Sequence, residues 1–342
     1  MTSREIVKCA VEFRSPPRLP LFFVNALPER SDVLRISYAP PESFLPKNTN
    51  YSEWGFRWER KDDTMGSPVE PPIDTWGKFD NYIPPDPFAK GRFSHLNAFF
   101  EKYGDLYYVA DMQISGFSLA CFLRGTENLL EDFYLEPEKL CKLLDMVVEF
   151  ENGIIRQFAS LPEGNLRSLP LARRHMPISA IGFADDFGTQ ENLIISPAMW
   201  REFIKPRLKK QFELVHSLGM HVYFHCCGYI YDIIRDLIDI GADILNLNQP
   251  DLLGIEKLAR DFGGKVCFNC PVDHQTVAVR GTAAEIRDYV ERLYRNFNFS
   301  NGGYIGHIEE YSCTGMSTEN FEAIVNSFEE VSKRSMERRI EK

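Results

Sequence analysis

Residues 221–247 read HVYFHCCGYIYDIIRDLIDIGADILNL, and this stretch decides the fold. His221–Cys226 is short and apolar and reads as a strand. Ile230–Ile240 carries apolar residues at helical spacing and ends at Gly241, and Asp243–Leu247 is a second strand. Strand, helix and strand of these lengths make one parallel βαβ unit, and the rhythm continues in both directions. Upstream, Leu106–Ala110 is apolar and β-rich. Pro137 opens a helix that runs through Leu140, Leu143, Leu144, Val147 and Phe150. Ile178–Ala184 is a strand, and Ser196-Pro197 caps a helix carrying Trp200, Phe203, Ile204 and Leu208 that stops near Gly219. Downstream come a helix over Ile255–Phe262 and a strand over Val266–Cys270. Thr282-Ala283-Ala284-Glu285 is a capping box opening a helix, Tyr304–His307 is a strand, and the last helix runs from Thr318 to about Arg338. Six such units can be counted, with room for two more in the first hundred residues. The expectation is an α/β chain folded as a (β/α)8 TIM-type barrel. An open doubly wound sheet is disfavoured because no GxGxxG turn opens the first unit.

Residues 1–90 differ in texture. They hold Pro16-Pro17, Pro40-Pro41, Pro71-Pro72 and Pro84-Pro85 together with Trp54, Trp58 and Trp76, and show little periodicity. The division expected is an irregular extension over 1–90 packed on a barrel of 91–342, ordered because flexible linkers lack such aromatics. At 342 residues, with 44% hydrophobic and 26% charged residues, the chain can bury a large core. Its 39 basic and 49 acidic residues give a formal charge of −10, which disfavours nucleic acid and anionic membrane as partners. No apolar run reaches the roughly 20 residues of a membrane span, and the polar start offers no secretory signal, so a cytoplasmic location is expected. The eight cysteines are too dilute for a disulfide scaffold. They read first as metal ligands, nucleophiles or plain core.

In such barrels chemistry sits where strands end. Along His221–Gly228 the strand period of two puts Val222, Phe224 and Cys226 on one face and Tyr223, His225 and Cys227 on the other. The first face is apolar and suits a helical layer. The second carries an imidazole and a thiol two residues apart, both projecting the same way, which suits two ligands of one zinc ion. Cys313, after the last strand, is the natural third ligand, in competition with Glu310, Glu309, His307, Cys267 and Cys270. At the end of the 178–184 strand, Asp185 and Asp186 are candidates for binding a substrate hydroxyl or passing a proton, followed by Gly188-Thr189-Gln190. An N-capping role for one of the two aspartates is the alternative. Asn246, Asn248 and Gln249 form a third polar strand end, and Asp273-His274-Gln275 a fourth. With Gln190 and Tyr223, the three amides are candidate substrate contacts.

These blocks, in this order, resemble the uroporphyrinogen decarboxylase superfamily. The residues that carry the resemblance are Phe183–Gln190, Ser196–Arg201 with Lys205-Pro206, His225–Gly228, Asp243–Asn246 with Gln249-Pro250, and Val272–Gln275. The resemblance covers roughly residues 95–335. The resemblance implies the same barrel. The arginine-rich segment by which true decarboxylases hold their acidic substrate has no counterpart here. The His-x-Cys pair resembles the branch of corrinoid-dependent methyltransferases, and Glu53-Trp54-Gly55 its O-demethylase-like members. That branch implies zinc on His225, Cys227 and a later cysteine. Cys313 lies a few residues closer to Thr318-Glu319-Asn320 than the pattern places that cysteine, and the usual position falls nearer Glu310. It also implies a small methylated substrate, a separate corrinoid protein as partner, and a plausible homodimer. Within the superfamily the rivals are a porphyrinogen-type decarboxylase and a ligand-binding member without catalysis.

Overall fold

The computed structural model describes residues 1–24, 26–48, 50–60, 66–161, 178–299, 301–309, 312 and 315–340. Eight parallel strands form the barrel wall: β1 (Leu21–Val24), β2 (Val33–Ser37), β3 (Tyr107–Asp111), β4 (Ile178–Ala184), β5 (His221–Cys226), β6 (Ile244–Leu247), β7 (Cys267–Phe268) and β8 (Gly306–Glu309). Strands β2 to β7 pair in chain order, and β1 pairs with β8. A parallel bridge from Phe268 to Tyr304 carries the wall from β7 to the residues entering β8.

Between β1 and β2 the ladder gives way to side chains. Buried backbone N–H groups must still find acceptors. Leu21 N donates to Asp32 Oδ2 at 2.9 Å and Phe23 N to Ser31 Oγ at 3.0 Å, while Asp32 N donates to the Leu21 carbonyl at 2.8 Å. The Asp32 carboxylate is held in turn by both Arg18 guanidinium nitrogens at 2.6 Å.

The first two barrel strands thus lie inside residues 1–90. Proline-broken runs hid β1 and β2, because a strand of four or five residues with Pro20 at its edge shows no periodicity. The irregular segment is the β2-to-β3 connection. It includes a small hairpin pairing Arg57–Glu59 with Ser67–Val69. Trp54, Phe56 and Ile73 join the outer core, and Trp54 meets Phe150 edge-on at 4.8 Å. Arg92 is buried and makes a two-pronged pair with Glu53 at 2.7 and 2.9 Å. The Glu53-Trp54-Gly55 element is therefore a clasp between this connection and the barrel.

Two apolar cores result. Val7, Val11, Phe22, Val33, Tyr107, Val109, Ala180, Tyr223, Ile244 and Cys267 pack together in one, with the helix Ser3–Val11 contributing its i and i+4 valines as a plug. The larger core contains Val222, Phe224 and Cys226 with the helical residues Leu208, Phe212, Ile233, Ile234 and Leu237. The strand period read from residues 221–226 thus sorts the side chains between layers as expected. The helices over Pro137–Ala159, Ile255–Phe262 and Ala283–Phe297 also match, the last opened by the Thr282/Glu285 capping box. Among the described residues no helix is long and apolar enough to cross a membrane.

Candidate metal centre at the barrel mouth

The C-terminal ends of β4 and β5 bring three donors together. His225 Nε2 lies 3.6 Å from Cys227 Sγ and 3.8 Å from Asp186 Oδ1, and the donor atoms of all three residues fall within 4.8 Å of one another. His225 and Cys227 meet because the strand period aims both side chains the same way. Asp186 joins them through the backbone. Its Oδ1 accepts the Cys227 N–H at 2.8 Å. The loops after β4 and β5 touch main chain to main chain: a Cβ on Gly188 would lie 2.6 Å from the Gly228 carbonyl carbon, and one on Gly228 2.3 Å from Gly188 O. Gly228 also sits at φ +79°, where side chains are strained.

Asn246 orients the imidazole. Its Nδ2 donates to the Asn269 carbonyl at 2.6 Å, so its Oδ1 faces His225 Nδ1, also at 2.6 Å. An amide oxygen only accepts. Nδ1 therefore carries the proton, and Nε2 presents its lone pair towards Cys227 and Asp186. The network runs deeper, since Asn269 Oδ1 accepts from Tyr223 OH at 2.8 Å and contacts His307 Nδ1 at 2.9 Å, and His307 Nε2 meets Glu309 Oε2 at 3.0 Å. Burial pushes His307 and His274 down from the usual histidine range. It pushes the Cys227 thiol up, with the Asp186 carboxylate adding to the effect. An imidazole nitrogen, a thiol and a carboxylate at this spacing, with a hydrogen-bonded partner fixing the tautomer, fit a zinc ion.

The other candidates divide. Asp185 is buried and accepts from Phe117 N (2.9 Å), Ser118 N (2.7 Å) and Ser118 Oγ (2.7 Å), so it caps the helix Gly116–Arg124. The capping alternative describes the geometry of Asp185: three donors hold both carboxylate oxygens inside the core. Tyr223 and Asn246 are buried and committed to the network beneath the donors. Gln249 is buried with its Oε1 on Gly228 N at 2.8 Å, which positions the β5 loop. Asp273 accepts from Gln275 N and Thr276 N, a turn-capping role. Gln190 is exposed on its loop. Asn248 Oδ1 is buried without a partner. Cys267 and Cys270 are buried in the apolar cores, away from any ligand set. Cys313 and Glu310 lie outside the described residues.

Sequence reasoning missed Asp186 as a neighbour of the His-x-Cys pair. The signal available was Asp-Asp-x-Gly beside Cys-Gly, two glycines permitting a close loop approach. Arg35 was also missed. It is paired with Asp111 at 3.1 Å and held above its usual value by Asp111, Tyr223 and Glu309 against the opposing effect of burial.

The fold is a (β/α)8 barrel, and this candidate donor set lies at its strand ends. Residues 179–331 match the family model of uroporphyrinogen decarboxylase (URO-D), so the family resemblance read from the sequence blocks stands. Among solved structures the chain is similar to a methyltransferase from Methanosarcina mazei, with a TM-score of 0.67 and 14% identity over 96% of this chain and 99% of that one. That likeness shows the barrel fold. An intracellular xylanase from Thermoanaerobacterium saccharolyticum aligns at a TM-score of 0.42 with 12% identity, covering 95% of this chain and 98% of that one, too loosely to carry an argument. None of the curated protein sequences matches this chain.

Proposed function

We propose that the protein is the substrate-specific methyltransferase of a corrinoid-dependent system. It moves a methyl group from a small methylated compound, an aryl methyl ether being the leading class, to the Co(I) of a separate corrinoid protein. The observation that carries the reading is the His225–Cys227 pair, 3.6 Å apart at the barrel mouth with its tautomer set by Asn246. The Methanosarcina mazei barrel of the same fold is a methyltransferase, which agrees.

The corrinoid protein would supply the nucleophile, the electron pair of Co(I), which would take up the methyl carbon. The bonding pair of the carbon–heteroatom bond would leave with the heteroatom, which would take its proton from water. His225 and Cys227 would hold a zinc ion, which would supply Lewis acidity toward that departing atom. The chain's own task is positioning. Asn246 holds the imidazole, Gly188 and Gly228 hold the loops, and the unpartnered Asn248 Oδ1 offers an acceptor to a substrate hydroxyl or N–H.

The decarboxylase rival needs a basic pocket for several carboxylates. The mouth presents Asp186 and Glu309, and Arg35 is already paired with Asp111. Arg124 is buried on Asp132 at 2.7 Å, and Arg173-Arg174 lie outside the described residues. An acid-lined mouth disfavours a polyanionic substrate.

The test mixes purified protein, reduced corrinoid protein and a panel of methyl ethers, amines and thiols, and follows the cobalt spectrum. Methylated corrinoid is expected with at least one ether. Unchanged Co(I) with every donor overturns the proposal.

A further inference from the structure

We infer that Asp186 is a ligand of the same metal, giving a nitrogen–sulfur–oxygen donor set of His225, Cys227 and Asp186. This rests on the metal-site part of the reading above. It goes beyond it by assigning a residue that lies some forty positions before the His-x-Cys pair.

The argument is geometric. Zinc bonds of about 2.0–2.1 Å to nitrogen, 2.3 Å to sulfur and 2.0–2.2 Å to oxygen, set at tetrahedral angles, separate pairs of ligand atoms by about 3.4–3.6 Å. His225 Nε2 and Cys227 Sγ stand at 3.6 Å, and His225 Nε2 and Asp186 Oδ1 at 3.8 Å. Among the described residues these three form the one group of histidine, cysteine and carboxylate donors whose atoms all lie within 4.8 Å of one another.

Two further features make Asp186 a built partner of the site. The Cys227 N–H holds Oδ1 at 2.8 Å and fixes the carboxylate while leaving a lone pair. The Asp186 N–H donates to Ser118 Oγ at 3.0 Å, and that hydroxyl is itself tied to buried Asp185. The first aspartate of the pair anchors the loop, and the second presents its side chain to the mouth.

The assignment has a chemical consequence. A carboxylate gives the metal less electron density than a second thiolate. The site is then harder and more Lewis-acidic, which favours an oxygen leaving group over capture of a thiol. The substrate class that follows is the methyl ether.

The experiment uses the full chain stripped of metal and titrated with Co(II) and Zn(II), read by the Co(II) optical bands and by zinc X-ray absorption. The proteins are the wild type, Asp186→Asn, Cys313→Ser, His225→Ala and Cys227→Ser. Asparagine keeps the acceptor for Cys227 N–H, so Asp186→Asn should retain the fold and its melting temperature. Losing an outer partner of a metal ligand costs about 10–100-fold in affinity. Asp186→Asn should therefore cost at least about 100-fold and shift the Co(II) bands, and the zinc absorption of the wild type should count one sulfur. Two sulfurs, with Asp186→Asn binding as tightly as wild type and Cys313→Ser losing affinity, would overturn the assignment of Asp186 and leave the metal site standing. Unchanged binding in His225→Ala and Cys227→Ser overturns the site itself.

Discussion

Cys226 and Cys227 are adjacent, share an element and have opposite fates. Cys226 is 1% exposed, belongs to the outer core and receives the Phe187 N–H at 3.3 Å. Cys227 faces the mouth beside His225. Cys226→Ser should lower stability by about 1–2 kcal/mol, the cost of placing a hydroxyl in an apolar layer, with metal content unchanged. Cys227→Ser should lose the metal and keep its melting curve, because a metal at the mouth is not what holds a large barrel together. Metal analysis paired with urea unfolding checks both. Equal loss of metal from the two variants would contradict the strand register. The sequence alone predicted this split, since it needs only the strand period. The split between Asp185 and Asp186 was legible only as two alternatives. Which carboxylate caps a helix depends on Phe117 and Ser118, nearly seventy residues earlier in the chain.

At the scale of elements, the decisive contact is between the loops after β4 and β5. Neither Gly188 nor Gly228 has room for a Cβ, and the Tyr229 N–H donates to the Thr189 carbonyl at 2.7 Å to close the contact. Gly188→Ala should push the loops apart by roughly the overlap of a methyl group and carry Asp186 away from Cys227. The expected outcome is metal affinity reduced at least about tenfold, with a loss of stability of about 1–3 kcal/mol, typical of overpacking. Retention of full affinity in Gly188→Ala would show that the loop contact does not position the donors. Gly219→Ala is not a suitable control. Its Cβ would meet no atom, but φ +75° strains any side chain there. Gly77→Ala is the fitting control, since nothing lies near its Cβ position and its φ is ordinary.

For the molecule as a whole, a buried carboxylate beneath the helix Gly116–Arg124 makes stability depend on pH. Glu151, in the helix Pro137–Ala159, accepts from Gly116 N at 2.8 Å and Gln211 Nε2 at 2.6 Å. Burial outweighs both bonds and raises it from 4.5 to about 7. A folded value above the unfolded one means that its contribution to stability is fully present below about 4.5 and is lost as pH rises through about 7. At about 1.4 kcal/mol per unit, the loss is on the order of 3 kcal/mol. Glu151→Gln keeps an acceptor for Gly116 and removes the charge. The variant should unfold at higher urea than wild type at pH 8, and the gap should narrow by pH 5. A gap that does not change with pH would contradict the assignment. The mouth and its acidic lining belong to the same scale. If the corrinoid protein docks there, a pull-down should depend on rim residues such as Gln190, and light scattering will decide whether a homodimer leaves that rim open.

The βαβ rhythm of 221–247, the capping box at Thr282 and the facing of His225 with Cys227 are local properties. Period, cap chemistry and helix-stop glycines act over a few residues, so the sequence by itself determined the barrel class and one pair of donors. Closure of the wall through β1 and β2 was decided by the tertiary structure, because strands of four and five residues acquire their identity only from their neighbours. The same holds for the role of Asp186. A donor set assembled from loops after different strands depends on how closely two backbones approach, and that distance is fixed by packing across the barrel, not by spacing along the chain.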